Sequence, residues 1–343
     1  MNKTTKLLAI LGFLISPTLL PAQWKIMKLD SDASFRSIDV YKKNNIWAGG
    51  SAGTVIHSSD KGKSWTVQTV GDQTLDFRGI AVLDGKTVVA VSAGLAEEGA
   101  AKVFRTTDAG KNWELVFETE ERGVFLDGVH FTDKRHGFII GDPLNGSPYV
   151  LETFDAGEHW ARMYPTRFPK VEEGEASFAA SNSNMESVGK KVWYAFQSRM
   201  LISEDEGESW RLVETRFPSG PTSGIFGLYF WNKNEGVLLG GDYKDDQAEQ
   251  MNVGRTTDRG TNWQIASAEP HGLKESACRW RHYLVAVGPS GTSISYNLGK
   301  SWHASNEQKA FHAIDNAGKW CFAIGSKGTV GKAKVKKLLP PFY

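Results

Sequence analysis

The chain has 343 residues, with 40 basic and 39 acidic side chains, 36 glycines, 12 tryptophans and two cysteines. A formal net charge of +1, without a long run of one sign, supplies no general field for collecting DNA, RNA or anionic lipid, so nucleic acid is not an expected partner. Two cysteines exclude a disulfide framework and a four-cysteine metal site, and the glycine content excludes a plain helical bundle.

The first segment reads as an address. Lys3 and Lys6 precede an almost wholly apolar run from Leu7 to Leu20, and Leu20-Pro21-Ala22 ends on a small residue before Gln23. This layout predicts a secretory signal peptide over residues 1–22, cut after Ala22. The run is broken by Pro17 and falls short of the roughly 20 apolar residues that span a bilayer. Loss of Lys3 and Lys6 leaves 38 basic and 39 acidic residues, a net charge of −1. Residues 23–343 are therefore expected to form one domain without a membrane span, periplasmic or secreted, acting as a monomer.

A repeat dominates the rest. Ser58-Ser-Asp60-Lys-Gly62-Lys-Ser-Trp65 is followed by the same Ser/Thr-x-Asp-x-Gly-x-x-Trp pattern around Asp108, Asp155, Asp205 and Asp258, and by a copy with Asn297 in place of Asp. The six tryptophans are 48, 47, 50, 53 and 39 residues apart. The motif's chemistry is that of a turn: the Asp or Asn oxygen accepts from backbone N–H groups ahead of it, the Gly takes a positive φ, and the Trp folds back over the loop. Each turn has one central Asp and no second carboxylate at calcium-ligand spacing, so these residues are structural.

Before each turn lie short alternating strands. In the first unit these are Phe35 to Val40, Asn45 to Gly50 and Thr54 to His57, and Thr66 to Val70 follows Trp65. Four short strands per 40 to 50 residues predict a β-propeller blade. Units starting at Phe35, Phe77, Phe125, Phe178, Ile225, Ser276 and Phe311 give an all-β, seven-bladed propeller of four-stranded antiparallel blades. The seventh unit lacks a fourth strand, and Trp24 to Leu29 is expected to supply it, closing the ring and removing two open sheet edges.

These residues resemble the Asp-box (BNR-type) repeat propellers, and over the whole mature chain they look most like the photosystem II stability and assembly factor-like propellers. That resemblance implies a non-catalytic scaffold that holds another protein during assembly. Sialidases carry the same Asp boxes. They are similar here at Phe35-Arg36 and Phe77-Arg78, although both copies lack the proline of the sialidase motif. A sialidase-like, glycan-cleaving site would draw on Arg199 as a further arginine, Glu175 as a carboxylate and Tyr243 as a nucleophile, and a carbohydrate-binding propeller without catalysis is the remaining alternative.

Loop lengths locate a site. The loops between second and third strands lengthen at Ala93 to Ala101, Asp142 to Pro148 and Asp242 to Asn252, and those entering blades four and five lengthen at Tyr164 to Ser177 and Arg216 to Gly224. All five map to one face, opposite the Asp turns. Asp142, Asn145, Glu173, Glu175, Phe178, Asp242 and Tyr243 are expected at that face, with Arg36, Arg78, Asp127, Arg199 and His312 around the channel. No cofactor or metal is expected. Gly49-Gly-Ser51-Ala-Gly53 matches a nucleophile elbow but sits in a blade turn, and Asp30-Ser-Asp32 lacks the glycine of a calcium loop. Cys278 and Cys321 fall in adjacent blades, either as buried thiols or as a disulfide.

Overall fold

The computed structural model describes residues 24–172, 174–249, 251–305 and 310–338. The signal-peptide reading and Glu173 lie outside the described residues. Seven four-stranded antiparallel sheets form the propeller. Their innermost strands are Phe35–Tyr41, Phe77–Val82, Leu126–Phe131, Met185–Val188, Ser223–Phe230, Ser276–Trp280 and Ala313–Ala317. In six blades the strands follow in chain order outward. In the seventh the outer place is taken by Lys25–Lys28, paired antiparallel with Thr329–Lys334.

The core lies between blades because each sheet is apolar on both faces. Trp47, Val55, Phe77, Ile80, Ala90 and Phe104 fill the gap between blades one and two. Trp193 of blade four stacks on Phe230 of blade five with ring centroids 3.7 Å apart. Ala33, Phe35, Ile56, Phe322 and Ile324 join blade one to blade seven, so the ring is packed through its closure.

The Asp turns are built as their chemistry requires. Asp60 Oδ1 accepts from the N–H groups of Lys63 and Ser64 at 2.9 and 3.0 Å, and Ser58 Oγ accepts from Gly62 N–H at 2.9 Å. Asp108, Asp155, Asp205 and Asp258 repeat the bond to the residue four ahead, and Asn297 Oδ1 accepts from Ser301 N–H at 3.0 Å. The residue between Asp and Gly is also left-handed, with φ of 68° at Lys61 and 62° at Ala109, where only the glycine is expected to be.

Two of the sequence expectations need correction. Blade four's innermost strand begins at Met185 rather than Phe178. The segment from Phe178 to Asn184 instead crosses the ring. Arg78 donates to Ala179 O at 3.1 Å, Asn182 donates to Ile80 O and accepts from Val129 N–H, and Ser181 donates to Glu275 O at 2.7 Å. Blades two, three and six thus hold one segment, which forms a plug between the two ends of the channel. The second departure is at Asp142 to Pro148, where strands Gly137–Leu144 and Ser147–Thr153 run on to a two-residue turn at Asn145-Gly146. Both turn residues have positive φ, 56° and 73°, the twist that a tight hairpin takes.

Candidate functional site

The plug makes the channel into two recesses. One opens among the long loops, has a volume of about 490 Å³ and is floored by Phe178, Ala179 and Ala180. Hydrogen bonds knit the loops around it: Ala96 N–H to Val124 O at 2.9 Å, Asp142 N–H to Phe125 O at 3.0 Å, Ser177 N–H to Asp142 Oδ1 at 2.9 Å, and Tyr243 N–H to Thr222 O at 3.0 Å. The other recess, about 510 Å³, lies beyond the plug and is lined by Asp39, Glu186, Asp315, His130 and Tyr229 among others.

A repeated backbone feature aims side chains into the first recess. The pairing of innermost and second strands skips one residue in four blades, at Arg36, Arg78, Asp127 and Phe226. Each skipped residue is a β-bulge, which turns its side chain out of the ladder's alternation. Arg36, Arg78 and Phe226 line the recess, together with Asp142, Phe178, Tyr243, Glu275 and His312.

The electrostatics are asymmetric. Arg78 Nε donates to Asp76 Oδ2 at 2.8 Å, so its charge has a fixed partner. Arg36 reaches Glu275 only at 4.0 Å and makes no hydrogen bond to any described residue. Burial and the neighbouring Arg78 lower the Arg36 pKa, with Glu275 opposing them; the group remains charged at any working pH. Glu275 Oε2 accepts from His312 Nδ1 at 2.9 Å, and His312 Nε2 lies 3.1 Å from Ser326 Oγ. Burial raises the Asp142 carboxyl to about 6.

The same recess also holds an aromatic platform. Phe178 and Phe226 stack in parallel at 4.1 Å and 4°, and Tyr243 meets Phe178 edge-on at 6.3 Å. Phe226 is buried, whereas Tyr243 is 49% exposed.

Of the residues expected at the face, the recess brings together Arg36, Arg78, Asp142, Phe178, Tyr243 and His312. Asp242 lies in an adjoining cleft of about 120 Å³ with Phe217 and Asn252. Asn145 is at its hairpin tip. Asp127 sits in the wall with neither carboxylate oxygen hydrogen-bonded to a described residue, and burial raises its pKa well above the usual range. Arg199 and Glu175 are locked together, Nε to Oε1 at 2.6 Å, with Glu172 and Glu214 also near the guanidinium; neither lines the recess. The trio Arg199, Glu175 and Tyr243 is therefore not assembled. Glu275 and Phe226 were not foreseen. Both hold repeat positions that the sequence shows, Glu275 just before an innermost strand as Asp76 is, and Phe226 at the bulge position of Arg36.

Among the described residues no helix is long and apolar enough to cross a membrane. The solved structures similar to this one include YCF48 from Cyanidioschyzon merolae, at TM-score 0.68 and 14% identity over 91% of this chain and 99% of that one. YCF48 bound to D1 peptide matches at TM-score 0.64 and 14% identity, over 94% and 99%. Virginiamycin B lyase from Staphylococcus aureus, an enzyme, matches at 0.64 and 14%, over 91% and 99%. These likenesses establish the fold alone. In sequence the chain is 24% identical over 184 residues to the chloroplastic photosystem II stability/assembly factor HCF136 of Oryza sativa subsp. japonica, 53% of this chain and 38% of that protein. It is 25% identical over 185 residues to the photosystem II assembly lipoprotein Ycf48 of a Synechococcus strain, 52% of this chain and 47% of that protein. The matched region is thus less than half the length of either relative. The pattern of one family, described as photosynthesis system II assembly factor YCF48, matches residues 111–321, more than half of the chain, and this chain belongs to that family.

Proposed function

We propose that the protein is an extracytoplasmic, non-catalytic scaffold whose loop-lined recess holds a segment of a partner protein. The observation that carries this reading is Arg36: a guanidinium with no hydrogen bond to a described residue, beside Arg78 and lining the same recess as the stacked Phe178 and Phe226. A guanidinium offers five N–H donors in a fork that fits a carboxylate, and an aromatic pair offers apolar area for a neighbouring side chain. The segment that fits is an extended peptide carrying an acidic group, from a side chain or a chain end, one or two residues from an aromatic or aliphatic side chain. A relative of the same fold, YCF48, has been seen with a D1 peptide, which supports a peptide as the class of ligand. The expected signal peptide supports a site outside the cytoplasm.

The test is selection from a displayed random peptide library by the mature protein, followed by titration of the selected peptides. Wild type should enrich acidic and aromatic residues in one short pattern, and Arg36→Ala/Arg78→Ala, still folded by circular dichroism, should lose that enrichment. Equal enrichment by both proteins would remove the recess from the reading. Release of sugar from sialylated or other glycans by the wild-type protein would instead establish the hydrolase alternative.

A further inference from the structure

The chain has only two cysteines, and the fold brings them together. Cys278 is on the innermost strand of blade six, Ser276–Trp280, and Cys321 is on the second strand of blade seven, Trp320–Gly325. Their sulfur atoms are 3.6 Å apart, at van der Waals contact, across the gap between the two blades. We infer that Cys278 and Cys321 form a disulfide that clasps blade six to blade seven when the chain folds in an oxidising compartment.

The location makes such a bond consequential. Both side chains belong to the cluster that contains Trp24, Val285, Ile294, Phe311 and Ala323. This is the cluster that the closure of the ring completes, because Trp24 immediately precedes the strand that pairs with Thr329–Lys334. The non-covalent closure by the two chain ends and the covalent clasp would therefore act on the same inter-blade seam. The residues are 43 positions apart, so the bond would remove a sizeable loop-closure entropy from the unfolded chain.

Burial dictates when the bond forms. Cys278 is 1% exposed and Cys321 0%, and burial pushes the Cys278 thiol well above its ordinary pKa. Little thiolate exists once the seam is shut, and no oxidant reaches it. The bond forms while blade seven is still open: one thiolate attacks the disulfide of an oxidant such as glutathione disulfide, releasing a thiolate, and the second cysteine attacks the mixed disulfide and releases the other. One protein S–S bond is gained, two S–H bonds are lost, and the oxidant leaves as two thiols. Afterwards the same burial shields the bond from reductants.

The experiment is refolding of the urea-denatured, reduced full chain with a glutathione redox couple, then alkylation in urea and intact-mass measurement. The expected product is a monomer that takes up no alkylating reagent until it is reduced, and two equivalents afterwards. Its bond should resist a water-soluble phosphine in buffer and yield to it in urea. The oxidised form should melt about 5–10 °C above the reduced form, while Cys278→Ala/Cys321→Ala should melt alike under both conditions. Two adducts per chain without reductant, a disulfide-linked dimer, or equal melting of the oxidised and reduced forms would overturn the clasp.

Discussion

Arg36 and Arg78 occupy the same bulged position in the innermost strands of adjacent blades, yet one is bonded and the other is not. Arg78 is held by Asp76 and by Ala179 O of the plug, whereas the nearest anion to Arg36 is Glu275 at 4.0 Å. The same backbone device thus gives one arginine a structural task and leaves the other without a hydrogen bond to a described residue. Arg36→Ala should change stability by less than about 0.5 kcal/mol and weaken binding of a selected acidic peptide at least about tenfold. Arg78→Ala should weaken binding too, and lose about 1 kcal/mol of stability with its bonds to the plug. Urea denaturation and peptide titration on both variants separate the two roles; an Arg36→Ala protein with wild-type affinity would mean that the recess does not use that guanidinium.

The repeat was legible because the Asp turn leaves a fixed print in sequence: a hydroxyl, a carboxylate, a glycine and a tryptophan at constant spacing. Blade count, ring closure and the face bearing long loops all follow from it. The plug was not legible. Phe178-Ala-Ala looks like the start of an innermost strand, and nothing local distinguishes it from Phe35-Arg-Ser or Phe77-Arg-Gly. Its true path depends on bonds to residues about 100 positions away, such as Asn182 to Ile80 O and Ser181 to Glu275 O, and one sequence does not display pairings of that range. The site was half legible for the same reason: the equivalence of Arg36 and Arg78 is local, but the meeting of Phe178 with Phe226 depends on the plug.

The recess beyond the plug sets a pH dependence. Asp39 and Asp315 accept backbone N–H bonds from the adjacent blades, at Val82 and Val40, at 2.6 and 2.7 Å. Burial raises Asp39 to about 6, Glu186 to about 7, and Asp315, with Asp39 beside it, to about 8. The unfolded carboxyls titrate near 4, so between about pH 4 and pH 8 these three groups hold more protons in the folded chain than in the unfolded one, and their contribution makes stability fall as pH rises. His130 in the same recess, lowered to about 4 by burial, opposes them below about pH 6.5. The melting temperature should be higher at pH 5.5 than at pH 8.5. Asp315→Asn with Glu186→Gln should flatten that slope. A slope that survives both substitutions unchanged would place its origin elsewhere.

At the acid end the sign reverses. Backbone and side-chain bonds from Asn112 hold Asp108 down at about 2, and the other Asp turns share its geometry. These groups stabilise the fold above the ordinary carboxyl range, and that contribution is lost as pH falls through about 4 towards 2. The turn around Asn297 shows that an amide oxygen can make the same backbone bond. Asp258→Asn should therefore cost little at neutral pH, whereas Asp258→Ala, which leaves the Asn262 N–H unpaired, should cost about 1–2 kcal/mol. Denaturant midpoints of the two variants decide this, and equal losses would show that charge rather than the oxygen's hydrogen bonds holds the turn.

Ring closure should be the most sensitive point of the fold. Trp24 is 4% exposed, packs against Phe311 with ring centroids 4.9 Å apart, and donates from Nε1 to Thr292 Oγ1 of blade six at 3.2 Å. A single side chain at the start of the outer strand of blade seven therefore reaches across to its neighbour. Trp24→Ala should cost about 3–5 kcal/mol, the usual loss for a buried tryptophan. Deleting residues 24–28 should cost at least as much and also expose the edge of Thr329–Lys334, which invites pairing between molecules. Light scattering during refolding should rise for the deletion far more than for Trp24→Ala. The reason is that the substitution empties a pocket but leaves the edge covered, whereas the deletion uncovers the four strand residues, Thr329 to Lys332, that Lys25–Lys28 pairs. Comparable aggregation of the two proteins would show that the tryptophan, rather than the strand pairing, is what keeps the ring shut.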